Sequence, residues 1–372
     1  MEYLALLLVG PVLWPFIAKA IWKHEITVKE LTINVAIGCA VVVVGWYGAR
    51  YSQMADVELL NGEVVGKESR RVSCEHSYRC NCHDVCSTDS QGRRSCTEIC
   101  QTCYDHAYDV SHYLTTNLGD IEIARVDRQG LTRPPRFLAA NNGDPVAMSH
   151  AYANYIKASP ESLFNTLAEK SAFEQFAADI PTYPSTVYDY HYADRVLAVK
   201  ANVPDLPRWN RELATMLKSV GPAKQANVVV VLTGIEDANY AMALRSAWLG
   251  GKKNDIVVVL GTPQYPSISW ARVISWTDNE MFKVELTDAL RDLPEASPET
   301  VLPLVAKQAM AGFERKSMKD FEYLKDSIEP SGWMLALLFV FSMVASVVTS
   351  VVLSRNNDSY LQFSRRMRMR WR

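Results

Sequence analysis

The sequence carries none of the common short motifs that mark catalytic sites. It has no Gly-x-Ser-x-Gly, no His-Glu-x-x-His, no glycine-rich phosphate loop and no dinucleotide-binding fingerprint. These absences exclude the hydrolases, metalloproteases and nucleotide-dependent enzymes that are built on those motifs. The formal net charge is also small, at -2. It averages two apolar ends with a polar middle, so the parts of the chain belong to different environments.

Charged residues are missing from the middle of three long apolar runs, at residues 3–22, 31–49 and 333–353. As a helix, about 20 apolar residues are long enough to cross a hydrocarbon core of about 30 Å. We therefore predict three transmembrane helices. Because ionisable residues at mid-depth mark ion and proton pathways, their absence disfavours a transporter.

Basic residues beside the apolar runs predict the orientation of the chain. Lys19, Lys23 and Lys29 surround the segment between the first two runs, and an arginine-rich tail follows the third. Since basic residues next to a span stay in the cytoplasm, we expect the N-terminus and residues 51–331 outside it and the tail inside. A cleaved signal peptide ending near residues 18–20 is the alternative, and it would leave the middle of the chain outside as well.

Small residues line one face of two predicted spans. Gly38 and Gly45 lie one heptad apart in the second span, and serines recur every fourth residue in the third. Those serines are Ser342, Ser346 and Ser350. Because helices in lipid associate by close backbone approach, we predict helix packing here, within the chain or between copies in a homo-oligomer. The alternative is that the spans merely tolerate small residues.

Cysteine is concentrated in one short stretch. Of the eight cysteines, Cys39 lies in the second span and all others fall within residues 74–103. A twin Cys-x3-Cys hairpin predicts two disulfides, because small extracytoplasmic modules are commonly stapled covalently. Its cysteines are Cys82, Cys86, Cys96 and Cys100. The number of cysteines in the stretch is odd, so at least one thiol stays free or pairs between chains.

Zinc is the alternative for the same stretch. A Cys-x-Cys and a Cys-x2-Cys spacing approach a tetrahedral four-thiolate site, and the histidines nearby are possible substitutes. The thiolates are Cys80, Cys82, Cys100 and Cys103, and the histidines are His76, His83 and His106. Disulfides, zinc and a redox-active thiol all stay open at this point, and each is expected to serve a structural purpose.

Residues 51–133 predict a small cysteine-rich β module. Its short segments alternate polar and apolar residues, and Asn61-Gly62 is a β-hairpin signal. After residue 133 the pattern becomes helical. We predict helices over residues 146–158 and 159–178, the second with a serine N-cap and a proline at the first helical position.

Residues 205–331 predict the largest folded domain. Continuous apolar strands at 227–232 and 256–260 alternate with helical segments, which is typical of a sheet buried on both faces. We therefore predict an extracytoplasmic α/β domain with helices on both faces of a small sheet. The other predicted regions are two spans with a short cytoplasmic loop over 1–50, a helical connection over 134–204, a span over 332–354 and a basic cytoplasmic tail over 355–372.

Acidic residues follow two of the predicted strands. Glu236 and Asp237 come after the strand predicted at 227–232, and Asp278 and Glu280 come after a further strand predicted at 270–276. Ligands of open α/β sheets bind beyond the carboxyl ends of strands, so these carboxylates could converge on a divalent cation in a phosphatase-like hydrolase. The alternative is that Asp237 and Asp278 cap helices.

The C-terminal tail alternates arginine with methionine and tryptophan. Beside a membrane such a tail binds anionic lipid headgroups, at about 1 kcal/mol per basic residue. Nucleic-acid binding would use the same charges, and simple anchoring of the topology is a third use. The arginines are Arg365, Arg366, Arg368, Arg370 and Arg372.

A motif inside the α/β domain resembles the TPM family. In residues 247–260 a helix ends in Trp-Leu-Gly-Gly-Lys-Lys-Asn-Asp and is followed directly by an apolar strand. The resemblance covers roughly residues 205–325 and implies a βαβ core. It also implies a membrane-tethered, extracytoplasmic or lumenal protein that acts in photosystem repair or modulates other membrane proteins.

A second resemblance covers most of the region between the spans. Residues 78–82 (Tyr-Arg-Cys-Asn-Cys), 100–106, 144–150 and 154–158 are similar to uncharacterised membrane proteins encoded by tailed bacteriophages. This resemblance implies the inner membrane of a bacterial host and no known activity.

Taken together, the patterns favour a non-enzymatic, multi-pass inner-membrane protein. Its periplasmic domain is expected to bind or modulate an envelope or phage component, as an oligomer. A membrane-bound metal-dependent hydrolase and a virion or genome-delivery component are the alternatives.

Overall fold

The chain folds into two compact units, each assembled from segments that are distant in sequence. The computed structural model describes residues 2–21, 27–88, 92, 94–162, 174–188, 191–192 and 194–369. The first unit comprises Met1–Asp56, Ala151–Glu169 and Met318–Arg372, and the second comprises Val57–His150 and Lys170–Ser317.

The described residues form both helices and strands. The helices are α1 (Glu2–Ile21), α2 (Val28–Met54), α3 (Pro135–Ala139), α4 (Tyr155–Ala158), α5 (Leu206–Lys224), α6 (Tyr240–Ala247), α7 (Glu280–Arg291), α8 (Pro298–Gly312) and α9 (Gly332–Met369), with 3-10 helices at Glu174–Asp179 and Met318–Ser327. The strands are β1 (Ala55–Val72), β2 (Ser77–Thr88), β3 (Arg94–Tyr104), β4 (Asp109–Thr116), β5 (Gly119–Ile123), β6 (Pro145–Ala153), β7 (Val187–Tyr188), β8 (His191–Tyr192), β9 (Val196–Val199), β10 (Asn227–Thr233), β11 (Asp255–Gly261) and β12 (Trp270–Ile274). This mixed α/β composition confirms the predicted fold class.

The first unit contains three helices that are long and apolar enough to cross a membrane. The spans are Tyr3–Ile21, Val28–Met54 and Gly332–Leu353, which confirms the prediction of a three-span membrane protein. The helices pack around Val42 and Trp46, both of which are buried. A capping box opens α2, because Thr27 and Glu30 each accept a hydrogen bond from the other's backbone N–H.

A polar junction follows the end of α2 within the same unit. The backbone N–H of Asn154 donates to the carbonyl of Met54 at 2.7 Å, and the Asn154 amide donates to the carboxylate of Asp56 at 2.7 Å. Ser159 and Ser327 share a hydrogen bond of 2.8 Å. These contacts tie the segment at Ala151–Glu169 and the 3-10 helix before α9 to the end of the second span.

The second unit begins with a four-stranded sheet in the order β5-β4-β1-β6. Strand β4 is antiparallel to both β1 and β5. Buried side chains on one face form its core: Val64, Leu114, Ile123, Phe137 and Val146. The sheet confirms a β-rich module in this region.

The predicted hairpin at Asn61-Gly62 is wrong. Strand β1 continues through both residues. Asn61 is buried, its amide nitrogen donates to the carbonyl of Ala226 at 3.1 Å, and its amide oxygen accepts from Arg195 at 2.9 Å. The two residues therefore serve other purposes within β1. Asn61 supplies a buried amide, and position 62 requires glycine because a side chain there would collide with Asn117.

The predicted helical connection is wrong over residues 146–158. Strand β6 occupies most of this range, and only α4 is helical. The reason is that β6 lies beside β1 in the sheet. The turn that leads into β6 is bound to β1 as well, because Val64 donates its N–H to the carbonyl of Asp144 at 2.9 Å and its own carbonyl accepts from Gly143 at 2.7 Å. Tertiary pairing overrides local helical periodicity here. Most of the helix predicted over 159–178 lies outside the described residues.

The second sheet of this unit has the order β12-β11-β10-β9. Strands β9, β10 and β11 are parallel, and β12 runs antiparallel to β11. Every residue of β10 and β11 is buried. Two separate buried clusters cover the two faces, one of them built with α5, α7 and α8 and the other with α6. The predicted sheet with helices on both faces is confirmed.

Candidate functional site

Strands β2 and β3 form a separate two-stranded sheet, which we call the ribbon. The strands are antiparallel, with a bulge between Cys80 and His83. Asn81, inside the bulge, has a positive φ of 49°, a conformation that asparagine tolerates better than most residues. Almost every side chain of the ribbon is exposed. Its order therefore cannot come from a buried core.

Three disulfides cross the ribbon: Cys80–Cys103, Cys82–Cys100 and Cys86–Cys96. The last two are the pairs that a twin Cys-x3-Cys hairpin requires. The four sulfurs weighed as zinc ligands are thus bonded to one another in pairs. Consequently the structure does not offer the predicted four-thiolate site at Cys80, Cys82, Cys100 and Cys103.

The seventh cysteine of the stretch, Cys74, is not part of the ribbon and is a free thiol. It lies with His76, His106 and Asp109 in a group that we call the foot cluster, in which one ligand atom from each residue lies within 4.8 Å of all the others. The Cys74 sulfur is 3.8 Å from Nδ1 of His106, which is 3.3 Å from Oδ1 of Asp109. Such a Cys-His-His-Asp group has the donor types and number of a zinc site.

A surrounding hydrogen-bond network orients Asp109 in the foot cluster. Its Oδ2 accepts from the N–H of Glu75 at 3.1 Å and from Arg125 at 3.0 Å. Burial alone would raise the pKa of Asp109, but these hydrogen bonds, that of Cys74 and the charge of Arg125 outweigh it and lower the pKa. The carboxylate is therefore held in its charged form, with Oδ1 directed at the cluster.

The structure separates the two aspartates that were predicted to converge on a cation. Asp237 follows the carboxyl end of β10, whereas β12 is antiparallel, so that Ile274 at its end pairs with Val257 near the start of β11. Asp278 therefore lies beyond the amino-terminal ends of β10 and β11, whereas Asp237 lies beyond the carboxyl end of β10. It also forms an ion pair with Lys316 at 2.6 Å. The predicted hydrolase site at Asp237 and Asp278 is not formed.

The capping alternative for these aspartates needs a correction as well. The N-caps of α6 and α7 are Asn239 and Asn279. Asp237 accepts instead from the N–H of Asn239 at 2.9 Å, just before the helix begins. The sequence signal was displaced by one or two residues, which is the usual uncertainty at a helix end.

A buried carboxylate, Glu58, is paired with three basic side chains in the second unit. His150 contacts it at 2.7 Å and Lys253 at 3.3 Å, and Arg315 pairs with both of its oxygens. Burial lowers the pKa of Lys253, and the charge of Arg315 lowers it further, while Glu58 raises it. All of these partners of Glu58 belong to the protein itself. The ion-pair cluster therefore has a structural role, in which it joins β1 to β6 and to the loops that carry Lys253 and Arg315.

In the first unit the small residues of the spans lie at helix–helix contacts. Ser342, Ser346 and Ser350 are fully buried. A side chain at Gly38 would contact Pro11 and Ser346, and one at Gly45 would collide with Leu338. The small-residue faces are therefore used for packing within the chain.

Asn34 is a polar residue of the second span that sequence reasoning missed. It is buried, and its amide donates to the Ser350 hydroxyl at 2.7 Å and the Ser346 carbonyl at 3.2 Å. Trp14 of α1 donates to the same hydroxyl at 3.2 Å. These hydrogen bonds connect all three spans, as polar side chains commonly do in lipid. A single asparagine within an apolar run was the available signal.

The arginine tail is only partly described. Helix α9 continues to Met369, so the backbone at Arg365, Arg366 and Arg368 is helical. Arg370 and Arg372 lie outside the described residues.

The Gly-Gly-Lys-Lys motif of the α/β domain surrounds a buried aspartate, Asp255. The carboxylate accepts from the N–H of Lys252 at 2.7 Å, from Tyr183 at 2.7 Å and from Asn227 at 2.9 Å. Gly251 has a positive φ of 87° and packs directly on this carboxylate. The motif thus has a structural use here.

Comparison with known protein families, curated proteins and solved structures finds no match for the chain, so the resemblances to TPM domains and to phage proteins stay predictions.

Proposed function

We propose that this membrane protein is a non-enzymatic binding protein whose ribbon recognises another protein of the cell envelope. One observation carries the proposal: the ribbon is ordered by three disulfides although almost all of its side chains are exposed. Covalent staples make an exposed surface rigid before a partner arrives, and this lowers the entropic cost of binding. The disulfides replace the missing buried core, and they leave the side chains of the ribbon available to a partner.

The register of the ribbon sorts its side chains into two different faces. Tyr78, His83, Val85 and Ile99 share one of them, which we call the apolar ribbon face. The side chains of Tyr78, Val85 and Ile99 are 52%, 46% and 49% exposed. The other face carries Tyr104, Asp84 and an ion pair between Arg79 and Glu98 at 3.1 Å. Exposed apolar side chains grouped on one face are typical of a protein-binding surface.

The free edges of the ribbon indicate what kind of partner fits. Among the described residues, β2 and β3 pair only with each other, so each strand presents a row of backbone donors and acceptors on its outer edge. An extended segment of another protein can add to such an edge, with alternate side chains packing on the apolar ribbon face. We therefore propose an extended, partly apolar segment of an envelope protein as the partner.

The cellular location follows from the disulfides and the basic residues. Disulfides persist outside the cytoplasm, and basic residues beside the spans favour a cytoplasmic tail. On this reading residues 51–331 lie in the periplasm and the chain spans a bacterial inner membrane. A cysteine replacing Leu138, which is 57% exposed, should react in intact cells with a maleimide that cannot cross the inner membrane. Labelling only after lysis would reject this topology.

Site-specific photo-crosslinking tests the binding proposal. A photoreactive residue at Val85 in the full chain should crosslink one envelope protein, whereas the same residue at Asp84, on the other face, should give at least several-fold less product. Replacing Ile99 with lysine should abolish the Val85 crosslink while mass spectrometry still finds all three disulfides. Equal crosslinking at both positions would reject the recognition face. A crosslink to a second copy of the chain would assign the face to a homo-oligomer instead.

A further inference from the structure

The foot cluster joins both ends of the ribbon. Cys74 and His76 lie in the loop that leads from β1 into β2, and His106 lies in the loop that leads from β3 into β4. Asp109 is the first residue of β4. The two loops are also hydrogen-bonded to each other, since the N–H of Asp105 donates to the carbonyl of His76 at 3.1 Å. A ligand bound here would therefore fix both strands of the ribbon at their base.

The distances among the donor atoms match a tetrahedral metal site. Bonds of about 2.0–2.3 Å in a tetrahedron place neighbouring ligand atoms about 3.3–3.7 Å apart. Nδ1 of His106 is 3.3 Å from Oδ1 of Asp109 and 3.8 Å from Sγ of Cys74, and Nδ1 of His76 is 3.6 Å from the other carboxylate oxygen, Oδ2 of Asp109. These distances are close to the spacing of a coordination shell, and one ligand atom from each of the four residues lies within 4.8 Å of all the others.

An orphaned nitrogen supports a missing ligand at the same place. Nδ1 of His76 is buried and has no hydrogen-bond partner among the described residues. A buried polar atom without a partner costs about 1–3 kcal/mol, so native structures seldom leave one. This nitrogen is 3.6 Å from Oδ2 of Asp109, which is too long for a hydrogen bond.

The oxidation state of Cys74 points to the same conclusion. The six cysteines of the ribbon form three disulfides, whereas Cys74 stays reduced and buried. A thiol beside two histidines and a carboxylate has the neighbours that a metal-binding thiolate requires. A thiolate and a carboxylate would also supply two negative charges to a divalent cation.

From these observations we infer that Cys74, His76, His106 and Asp109 bind one Zn²⁺ ion in a closed structural site that fixes the base of the ribbon. Four protein ligands leave no open position for a substrate or an activated water, so the site is structural rather than catalytic. Arg125, the Glu75 N–H and Ser111 form the outer shell, because Arg125 bridges Asp109 and the Ser111 hydroxyl at 3.0 Å and 2.8 Å. Such outer partners hold a ligand in the orientation that the metal requires.

Zinc titration of the full chain in detergent tests this inference. The oxidised protein, freed of metal with a chelator, should bind one equivalent of Zn²⁺. Zinc should also slow alkylation of Cys74 by iodoacetamide at least 10-fold, since a coordinated thiolate is protected. Co²⁺ in place of zinc should give the visible absorption of a tetrahedral ion together with a thiolate charge-transfer band. Binding without this band, or unchanged alkylation of Cys74, would overturn the proposed ligand set.

Variants separate the foot cluster from other cysteines and histidines. Cys74→Ser and His106→Gln should each weaken zinc binding at least about 100-fold, beyond the 10–100-fold typical of outer-shell changes. The matched controls are Cys39→Ser in the second span and His83→Gln on the ribbon, which should bind zinc as the wild type does. Because a ligand variant could fail to fold, the three disulfides are mapped in each protein. Full-strength zinc binding by a folded Cys74→Ser protein would reject the site.

The zinc site and the recognition proposal fail independently. Loss of zinc binding would leave the photo-crosslinking result at Val85 as the test of partner recognition. Conversely, a ribbon that crosslinks no partner would still allow one zinc ion at its base.

Discussion

The ribbon and the α/β sheet are both built from β-strands, but they hold their shape by different means. Strands β10 and β11 are buried along their whole length, whereas the ribbon strands are almost entirely exposed. Burial of apolar surface stabilises the sheet by about 25 cal/mol per Å². The ribbon lacks that contribution, and three disulfides limit the freedom of its unfolded chain instead.

This difference suggests a division of labour within the second unit. A sheet that is covered on both faces presents neither face to a partner, so under the proposed function it acts as a scaffold. A ribbon ordered by covalent bonds keeps both faces and both edges available.

Truncating a core aromatic should damage the sheet and spare the ribbon. Phe282 is buried and packs edge-on against Phe313, with ring centroids 6.0 Å apart. Phe282→Ala should lower the free energy of unfolding by about 3–5 kcal/mol through lost burial and a cavity. Chemical denaturation measures this change. Met281→Ala, at a neighbouring position that is 62% exposed, is the control and should change stability by less than about 0.5 kcal/mol.

Removing a ribbon disulfide should destabilise the ribbon and spare the α/β sheet. The double variant Cys86→Ser with Cys96→Ser should lose about 2–4 kcal/mol of local stability. Hydrogen exchange should show faster exchange in β2 and β3 and unchanged protection in β10 and β11. The Cys39→Ser variant controls for the loss of a sulfur elsewhere. Equal loss of protection in both sheets would contradict the contrast drawn here.

A smaller effect is expected where the β module joins the α/β sheet, at Asn61. Its buried amide bonds to the Ala226 carbonyl and to Arg195. Asn61→Ala should cost about 1–3 kcal/mol, because it removes the partner of buried polar groups. Asn141→Ala, at an exposed loop residue, should be nearly neutral. Equal unfolding midpoints for the two variants would show that this bridge contributes nothing.

The smallest expected effect is a change of stability with pH at Asp127. Hydrogen bonds from the backbone, led by Thr132 and followed by Gly130, lower the pKa of Asp127 to about 2 from an ordinary value of 3.8. Because the folded pKa is the lower one, the stabilisation is present above pH 3.8 and is lost as the pH falls towards about 2. Asp127→Asn should remove this dependence. A carboxyl titration by NMR with a midpoint near 3.8 would contradict the prediction.

Sequence reasoning succeeded where one segment carries its own signal. Apolar runs predicted the three spans, and the continuous valine-rich runs predicted β10 and β11 to within about one residue. It failed where distant segments decide the outcome. Residues 146–158 have a helical pattern, but pairing with β1 makes most of them a strand, and Asn61-Gly62 has turn-forming residues inside a continuous strand.

The candidate sites show the same limit. Cysteine density predicted a disulfide-rich module, but spacing alone allowed the Cys80 to Cys103 group to bind zinc. The foot cluster was missed because Asp109 lies outside the cysteine stretch and Cys74 looked like an unpaired remainder. No local pattern links these two residues, which approach each other only because β1 and β4 are paired.

The sequence by itself determined the environment that each segment requires. The spans require lipid, the valine-rich strands require burial, and the closely spaced cysteines require an oxidising compartment. Local composition fixes these preferences, because transfer free energies and thiol chemistry belong to single residues. Only the tertiary structure decided which residues meet. The antiparallel direction of β12 separates Asp237 from Asp278, and the pairing of β1 with β4 brings Asp109 to Cys74, because strand direction and register depend on contacts between segments far apart in the chain.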